Sequence, residues 1–487
     1  MRAKAVFVLF ILRLCLGPAW ADISPERYLE HVKALASDKY KGRGNDLPEL
    51  QLAARYLADK FRACGLKPIS GSYCQKFRAT TGTTIGPNNS LSATLPSGAV
   101  SYRSGSDFVP LGISDPGKVS GKLVFAGYGI TAEAYRYDDY AHLDVKGKIV
   151  LALRHEPQEQ DEKSVFQGKD LTPHARIVEK AINARMHGAV AFILVTDPNG
   201  HEGEEDAFLK PDALMGPEHL GLLALQVKRQ VADAWVGTAG KNLKDLQAAI
   251  DRDLSNQSLA LAVELEINLD VARRTRELEN VVGMLPGNDP ALRDQVIVIG
   301  AHYDHLGLGG RHSMAPKLEG QVHYGADDNA SGAAGVLELA CDLARSARQL
   351  KRSILFLAFA GEELGLLGSS HYTKNPLVTL DRTVAMINLD MIGRPRDRKI
   401  YVGGVGTAKE FRSLLEEENK AVNLNLAFST TGFDSSDHTS FNAGQVPVLF
   451  FFSGLHGDYH RPSDTWEKIN ATDAADVLRL AERVALR

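Results

Sequence analysis

Between Pro25 and Leu66, apolar positions recur at helical spacing. "SPERYLEHVKALAS" offers Ser24 as an N-cap with Pro25 at the first helical position, and "PELQLAARYLADKFRACG" opens on proline and stops at Gly65. Two helices around a "KGRGND" loop are predicted. The following stretch, "TTGTTIGPNNSLSATLPSGAVSY", is rich in turn residues with short alternating pieces, which reads as an irregular connection. Next, "KLVFAGYGI" and "KGKIVLALR" are short β-type runs, "ARIVEKAINARMHG" is an amphipathic helix ending in Gly188, and "AVAFILVTD" is a buried strand. Beyond "RRTRELENVVGMLPG" the strand candidates become apolar throughout: Val296 to Ile299, Ile354 to Ala360, Val384 to Leu389 and Val446 to Phe452. Helices are predicted between them over Ser331 to Ser346, Leu364 to Thr373 and Lys409 to Lys420.

Strands without a polar face need cover on both sides. The pattern therefore predicts an α/β fold, a mixed and mostly parallel sheet sandwiched by helices, with a smaller α/β domain inserted. The expected divisions are 1–21 as a leader, 22–115 as the first part of the main domain, 116–270 as the insert, and 271–487 as the sheet-bearing remainder.

The leader, "MRAKAVFVLFILRLCLGPAWA", has two basic residues, an apolar stretch and small residues at its end, so cleavage after Ala21 and a secreted or periplasmic location are expected. Its apolar run is shorter than the ~20 residues that span a bilayer, so no membrane anchor is predicted. Lys+Arg 56 against Asp+Glu 60, with no basic block, gives no reason to expect nucleic acid or an anionic membrane surface as partner. In an oxidising compartment Cys64 and Cys74, which flank "GLKPISGSY", are candidates for a disulfide, while Cys341 at helical spacing reads as a buried thiol. The acidic loop "HEGEED" in the insert reads as a solvated turn, with a weak cation site as the alternative.

The main-domain strands run out into His, Asp or Glu. His302 and Asp304 follow the first, Glu362 and Glu363 the second, Asp390 the third, and His456 and His460 come after the fourth; "YGADDN" places Asp327 and Asp328 before a helix. In an open α/β sheet, ligands bind beyond the carboxyl ends of the strands, so these residues should converge. Singly, each has an ordinary reading as a cap, a loop histidine or a salt-bridge partner. Together they are hard to bury without cations, because an uncompensated buried charge costs several kcal/mol. Imidazoles with carboxylates and no thiolate suit zinc, with cobalt or manganese as substitutes. The donors are too many for one tetrahedral ion with an open position, but they fit two ions sharing a carboxylate.

"AHYDHLG", "GADDNASG", "GEELGLLGS", "NLDMIG", "SSDHTSF" and "YHRPSDT", in this order, resemble the co-catalytic zinc aminopeptidases of the M28 metallopeptidase family. "VFAGYGI", "YDDYAHLDVKGKIV" and "GAVAFILV" resemble the protease-associated (PA) domain that many such enzymes carry. The resemblance implies the zinc exopeptidase fold, two zinc ions per chain, and peptide substrates cleaved at the amino end. It assigns His302, Asp327 and Asp390 to one ion, and Asp327, Glu363 and His460 to the other, with Asp327 as the bridge. "YHRPSDT" selects His460 over His456. Glu362 would stay uncoordinated as the general base, Asp304 would orient the His302 imidazole, Asp437 and His438 would line the substrate pocket, and a cis peptide would join Asp327 to Asp328. Other activities on this scaffold are single-zinc glutaminyl cyclases, non-catalytic binding ectodomains, and carboxypeptidases, for which Arg394, Arg396 and Arg398 are a candidate cationic patch. The Glu362–Glu363 pair and the insert favour a peptidase.

Overall fold

The computed structural model describes residues 23–487 except 202–205, 212–213, 215–218, 311, 347–349 and 434; the leader lies outside the described residues. The chain divides into two compact units, one made of the described residues up to Phe77 together with Glu277–Arg487, the other of Arg78–Arg276.

The first unit is built on an eight-stranded mixed sheet. Val296–His302 lies between Ser353–Phe359 and Thr383–Leu389 and is parallel to both, and Val448–Phe452 continues the parallel set. Every residue of Val296–His302 and of Ser353–Phe359 is buried, which accounts for their unbroken apolar sequences. Val271–Leu285 and Lys399–Gly403 join antiparallel on either side of this parallel core. The helix Pro25–Leu35, capped by Ser24, packs against the helices Gly332–Arg345 and Ala471–Ala485. The predicted helix over Leu364 to Thr373 forms only from Leu367 to Lys374, because Gly361–Leu366 is taken up by a turn carrying the two glutamates.

The second unit has its own eight-stranded sheet. Gly117–Phe125, Ile149–Leu153, Ala191–Val195 and Leu223–Val227 are parallel in succession, and the last three are buried at every position. This unit is larger than the insert expected over 116–270. Ser90–Leu95 pairs with Leu259–Leu269 and with Gly98–Tyr102, and Phe108–Pro110 pairs with Leu223–Val227. The stretch read as an irregular connection therefore supplies strands to this sheet. Its Ser, Thr and Ala residues lie at the half-exposed edge of the sheet, where little apolar alternation is required.

The disulfide joins Cys64 to Cys341, with Cα atoms 4.9 Å apart, so Cys341 is not the buried thiol it was read as, and Cys74, the candidate partner of Cys64, is a free thiol. Cys64 caps the helix Glu49–Ala63, which packs on the helix Gly332–Arg345 that carries Cys341, whereas Cys74 opens a strand leading away. Local spacing in sequence gave no access to that helix contact. The bridge closes a span of 277 residues. Replacing both cysteines by Ala is expected to cost about 2–5 kcal/mol in a non-reducing denaturant titration, and peptide mapping should recover a Cys64–Cys341 cross-link. Among the described residues no helix is long and apolar enough to cross a membrane.

Candidate metal centre

The parallel strands deliver their last residues to one edge of the first unit's sheet. His302 is the final residue of its strand, Asp390 follows Leu389 directly, and Glu362 and Glu363 come three and four residues after Phe359. His302 Nε2 lies 3.4 Å from Asp328 Oδ1 and 3.4 Å from Asp390 Oδ1. His460 Nε2 lies 3.1 Å from Asp328 Oδ2 and 3.3 Å from Glu363 Oε2. Asp328 thus presents one oxygen to each imidazole. Glu362 stands to one side, its Oε2 3.8 Å from His302 Nε2.

Asp327, expected to be the bridge, does not face this group. Its Oδ1 accepts a hydrogen bond from the Gly393 amide at 2.7 Å, and its Oδ2 lies 3.2 Å from His456 Nε2. Both Asp327 and Asp328 donate their amides to the buried Asp464 carboxylate, at 3.0 and 3.1 Å, which turns one side chain inward and the other away. The cis peptide falls one position later than expected, between Asp328 and Asn329. Gly325 begins this turn at φ +54°, where a Cβ would come within 2.1 Å of the Asp328 carbonyl oxygen and 2.5 Å of the His305 ring.

The imidazoles are oriented by main-chain carbonyls. His302 Nδ1 donates to the Asp304 carbonyl at 3.1 Å, and His460 Nδ1 donates to the His312 carbonyl at 2.7 Å, so each Nε2 carries its lone pair toward carboxylates. The Asp304 carboxylate, expected to orient His302, instead accepts the amides of Glu362 and Glu363 at 3.1 and 3.3 Å and the Asn45 amide group at 2.6 Å. It fixes the glutamate pair rather than the ring. Arg43, from the "KGRG" loop, is fully buried and donates to the carbonyls of Tyr303, Tyr324 and Gly325, tying the His302 and Asp328 segments together. Ser436 donates to Asp390 Oδ2 at 2.7 Å.

Asp437 and His438 have no exposed surface, so neither lines an open pocket. The His438 ring stacks on Phe450 at 4.4 Å, and burial pushes its pKa down to about 4. Burial likewise pushes the Asp437 carboxyl up to about 7. Sequence reasoning also missed His305, which is buried with Nδ1 2.7 Å from Glu363 Oε1 and 3.7 Å from Asp328 Oδ2. Its position directly after Asp304 was the available signal.

The donor set fits a pair of divalent cations. Imidazole lone pairs aimed at carboxylate oxygens repel unless a cation or proton lies between them, and Asp390 Oδ1 is buried without a hydrogen-bond partner. His302, Asp328 and Asp390 form one compact donor group; His305, Asp328 and Glu363 form another, with His460 beside it. Burial holds the Glu362 carboxyl well above the usual carboxylate range, opposed by His302 and reinforced by Glu363, Asp390 and Asp437.

Residues 280–485 match peptidase family M28, and residues 119–229 match the PA domain. A probable leucine aminopeptidase of Arthroderma otae is 30% identical over 204 residues, covering 40% of this chain and 54% of that protein. An aminopeptidase of Pseudomonas aeruginosa is 27% identical over 385 residues, covering 78% of this chain and 59% of its own length. The chain thus spans less than two thirds of either relative. An aminopeptidase from Aneurinibacillus sp. strain AM-1 shares the fold with a TM-score of 0.60 at 22% identity, over 95% of this chain and 93% of that one. A zinc aminopeptidase from Bacillus subtilis does so at 0.54 and 20%, over 95% of each. Residues 280–485 thus form a region similar to peptidase family M28, and residues 119–229 a region similar to the PA domain.

Proposed function

We propose that the chain is an exported aminopeptidase holding two zinc ions, one by His302, Asp328 and Asp390, the other by Asp328, Glu363 and His460. The observation that carries this reading is Asp328, whose two carboxylate oxygens face separate imidazoles at 3.4 and 3.1 Å. Zinc, when bound, supplies a Lewis acid for a peptide carbonyl and makes water acidic enough to attack near neutral pH.

The chain's own residues then position and move protons. The carbonyls of Asp304 and His312 hold the Nδ1 protons of His302 and His460 and turn each Nε2 toward the carboxylates. Glu362, uncoordinated, accepts a proton from the attacking water and passes it to the leaving amine, a task suited to a carboxyl whose pKa is lifted by burial. Asp304 keeps Glu362 and Glu363 in register through their amides. The aminopeptidase names of the curated relatives favour cleavage at the amino end. A carboxypeptidase would need a free cationic patch. Arg394 is paired with Asp458 at 2.9 Å, and Arg398 with Asp473 and Asp476 at 3.0 and 2.7 Å, leaving these two committed.

The test is hydrolysis of a panel of aminoacyl amides, with and without chelator, beside the same compounds blocked at the amino group. Chelator-sensitive turnover of the free-amine compounds alone, with about two zinc per chain, is expected. Turnover of blocked compounds, or indifference to chelation after exhaustive dialysis, overturns the proposal.

A further inference from the structure

Among the described residues, the second unit holds a separate group of mixed imidazole and carboxylate donors: His155, Glu159, Asp197 and His201. They arise from two loops leaving the same end of adjacent parallel strands. His155 and Glu159 follow Ile149–Leu153, Asp197 and His201 follow Ala191–Val195, and Leu153 pairs with Val195 at that edge. Such an edge is where the loops of a parallel sheet open a crevice.

One donor atom from each residue lies within 4.8 Å of all the others. His155 Nδ1 is 2.5 Å from Asp197 Oδ2 and 3.8 Å from Glu159 Oε2, and His201 Nε2 is 2.9 Å from the same Glu159 oxygen. Ligands at zinc distances in a tetrahedron stand about 3.4 Å apart, so these spacings bracket the requirement. Asp197 is held in place by the amides of Arg154 and His155, at 2.9 and 3.0 Å. The nearby ammonium of Lys180 gives its protons to the carbonyls of Tyr128, Leu153 and His155, not to Asp197.

Paired protonation is a poor explanation of the cluster. Neutral rings donating His155 Nδ1–H to Asp197 and His201 Nε2–H to Glu159 satisfy the hydrogen bonds but leave both carboxylate charges in place, and charging both rings, stacked with centroids 4.4 Å apart, sets like charges face to face. One dication between neutral rings compensates both carboxylates without that repulsion. Nitrogen donors with carboxylates favour zinc over calcium or magnesium, and four protein donors leave no open position, which marks a structural rather than a catalytic ion.

We propose that His155, Glu159, Asp197 and His201 form a structural zinc site that clamps the two loops at this edge of the second unit. The site is independent of the ions at the candidate active centre. The test uses the full chain, stripped with chelator, dialysed, and titrated with zinc chloride while bound metal and thermal midpoint are followed. The variant combining His155→Ala and His201→Ala is expected to bind about one zinc fewer than the parent and to lose part of the zinc-dependent rise in midpoint. Its kcat/KM on aminoacyl amides, per correctly folded chain, should stay within about two-fold, because none of the four residues is a donor of the candidate active centre. Glu159→Gln, a smaller change at a partly exposed residue, should weaken that equivalent by about ten-fold or more and covers failure of the double variant to fold. Asp328→Ala should lose activity while retaining this equivalent, which separates the two sites. Equal zinc stoichiometry and affinity in the parent and in the foldable variants overturns the proposal.

Discussion

Glu362→Gln is expected to lower kcat by about 10²–10⁴-fold while zinc content and KM stay close to those of the parent. Glutamine keeps the volume and the amide held by Asp304 Oδ1 at 3.1 Å, but it cannot accept and release a proton. The side chain sits 3.8 Å from the nearest imidazole nitrogen and outside the two compact donor groups, so its removal should spare the ions. Single-turnover rates with metal analysis on the same preparation check this. A variant that cleaves as fast as the parent removes Glu362 from the mechanism, whereas a variant that loses zinc reassigns it as a ligand.

The second large effect separates two neighbouring aspartates. Asp328→Ala takes one oxygen from each imidazole's surroundings at once, and is expected to abolish measurable activity and deplete both ions. Asp327→Asn should be much milder, with a loss of about 10–100-fold in zinc affinity or rate, because Asp327 acts by holding the Gly393 amide and His456. Equilibrium dialysis against graded zinc, followed by kcat/KM on one aminoacyl amide, distinguishes them. If Asp327→Asn loses both ions and Asp328→Asn keeps them, the bridge has been placed on the wrong residue.

That pair also marks the limit of what the sequence could tell. The strand runs before His302, Glu362 and Asp390 were legible because buried parallel strands are apolar at every position, and the convergence of their ends follows from topology. Asp327 and Asp328 were not separable in this way. They are adjacent acids, and which one turns inward depends on Asp464, some 136 residues further on, accepting both amides. Asp304 shows a similar limit: its place near His302 was legible, but its use as an anchor for the glutamate amides was not. The candidate Cys64–Cys74 bridge rested on proximity in sequence alone, which does not report the helix contact that brings Cys64 to Cys341. The second unit's early strands were missed because Ser-, Thr- and Ala-rich edge segments carry too little apolar alternation to stand out from a turn-rich linker.

The helix Pro25–Leu35 packs on the helix Ala471–Ala485, and Arg479 reaches back to the Ile23 carbonyl. During translation the first of these helices leaves the ribosome long before its partner exists, so a growing chain spends most of its synthesis with that surface bare. His460 also emerges late, which leaves every shorter nascent fragment short of a full donor set. A donor set that needs His460 therefore stays incomplete until residue 460 has been added.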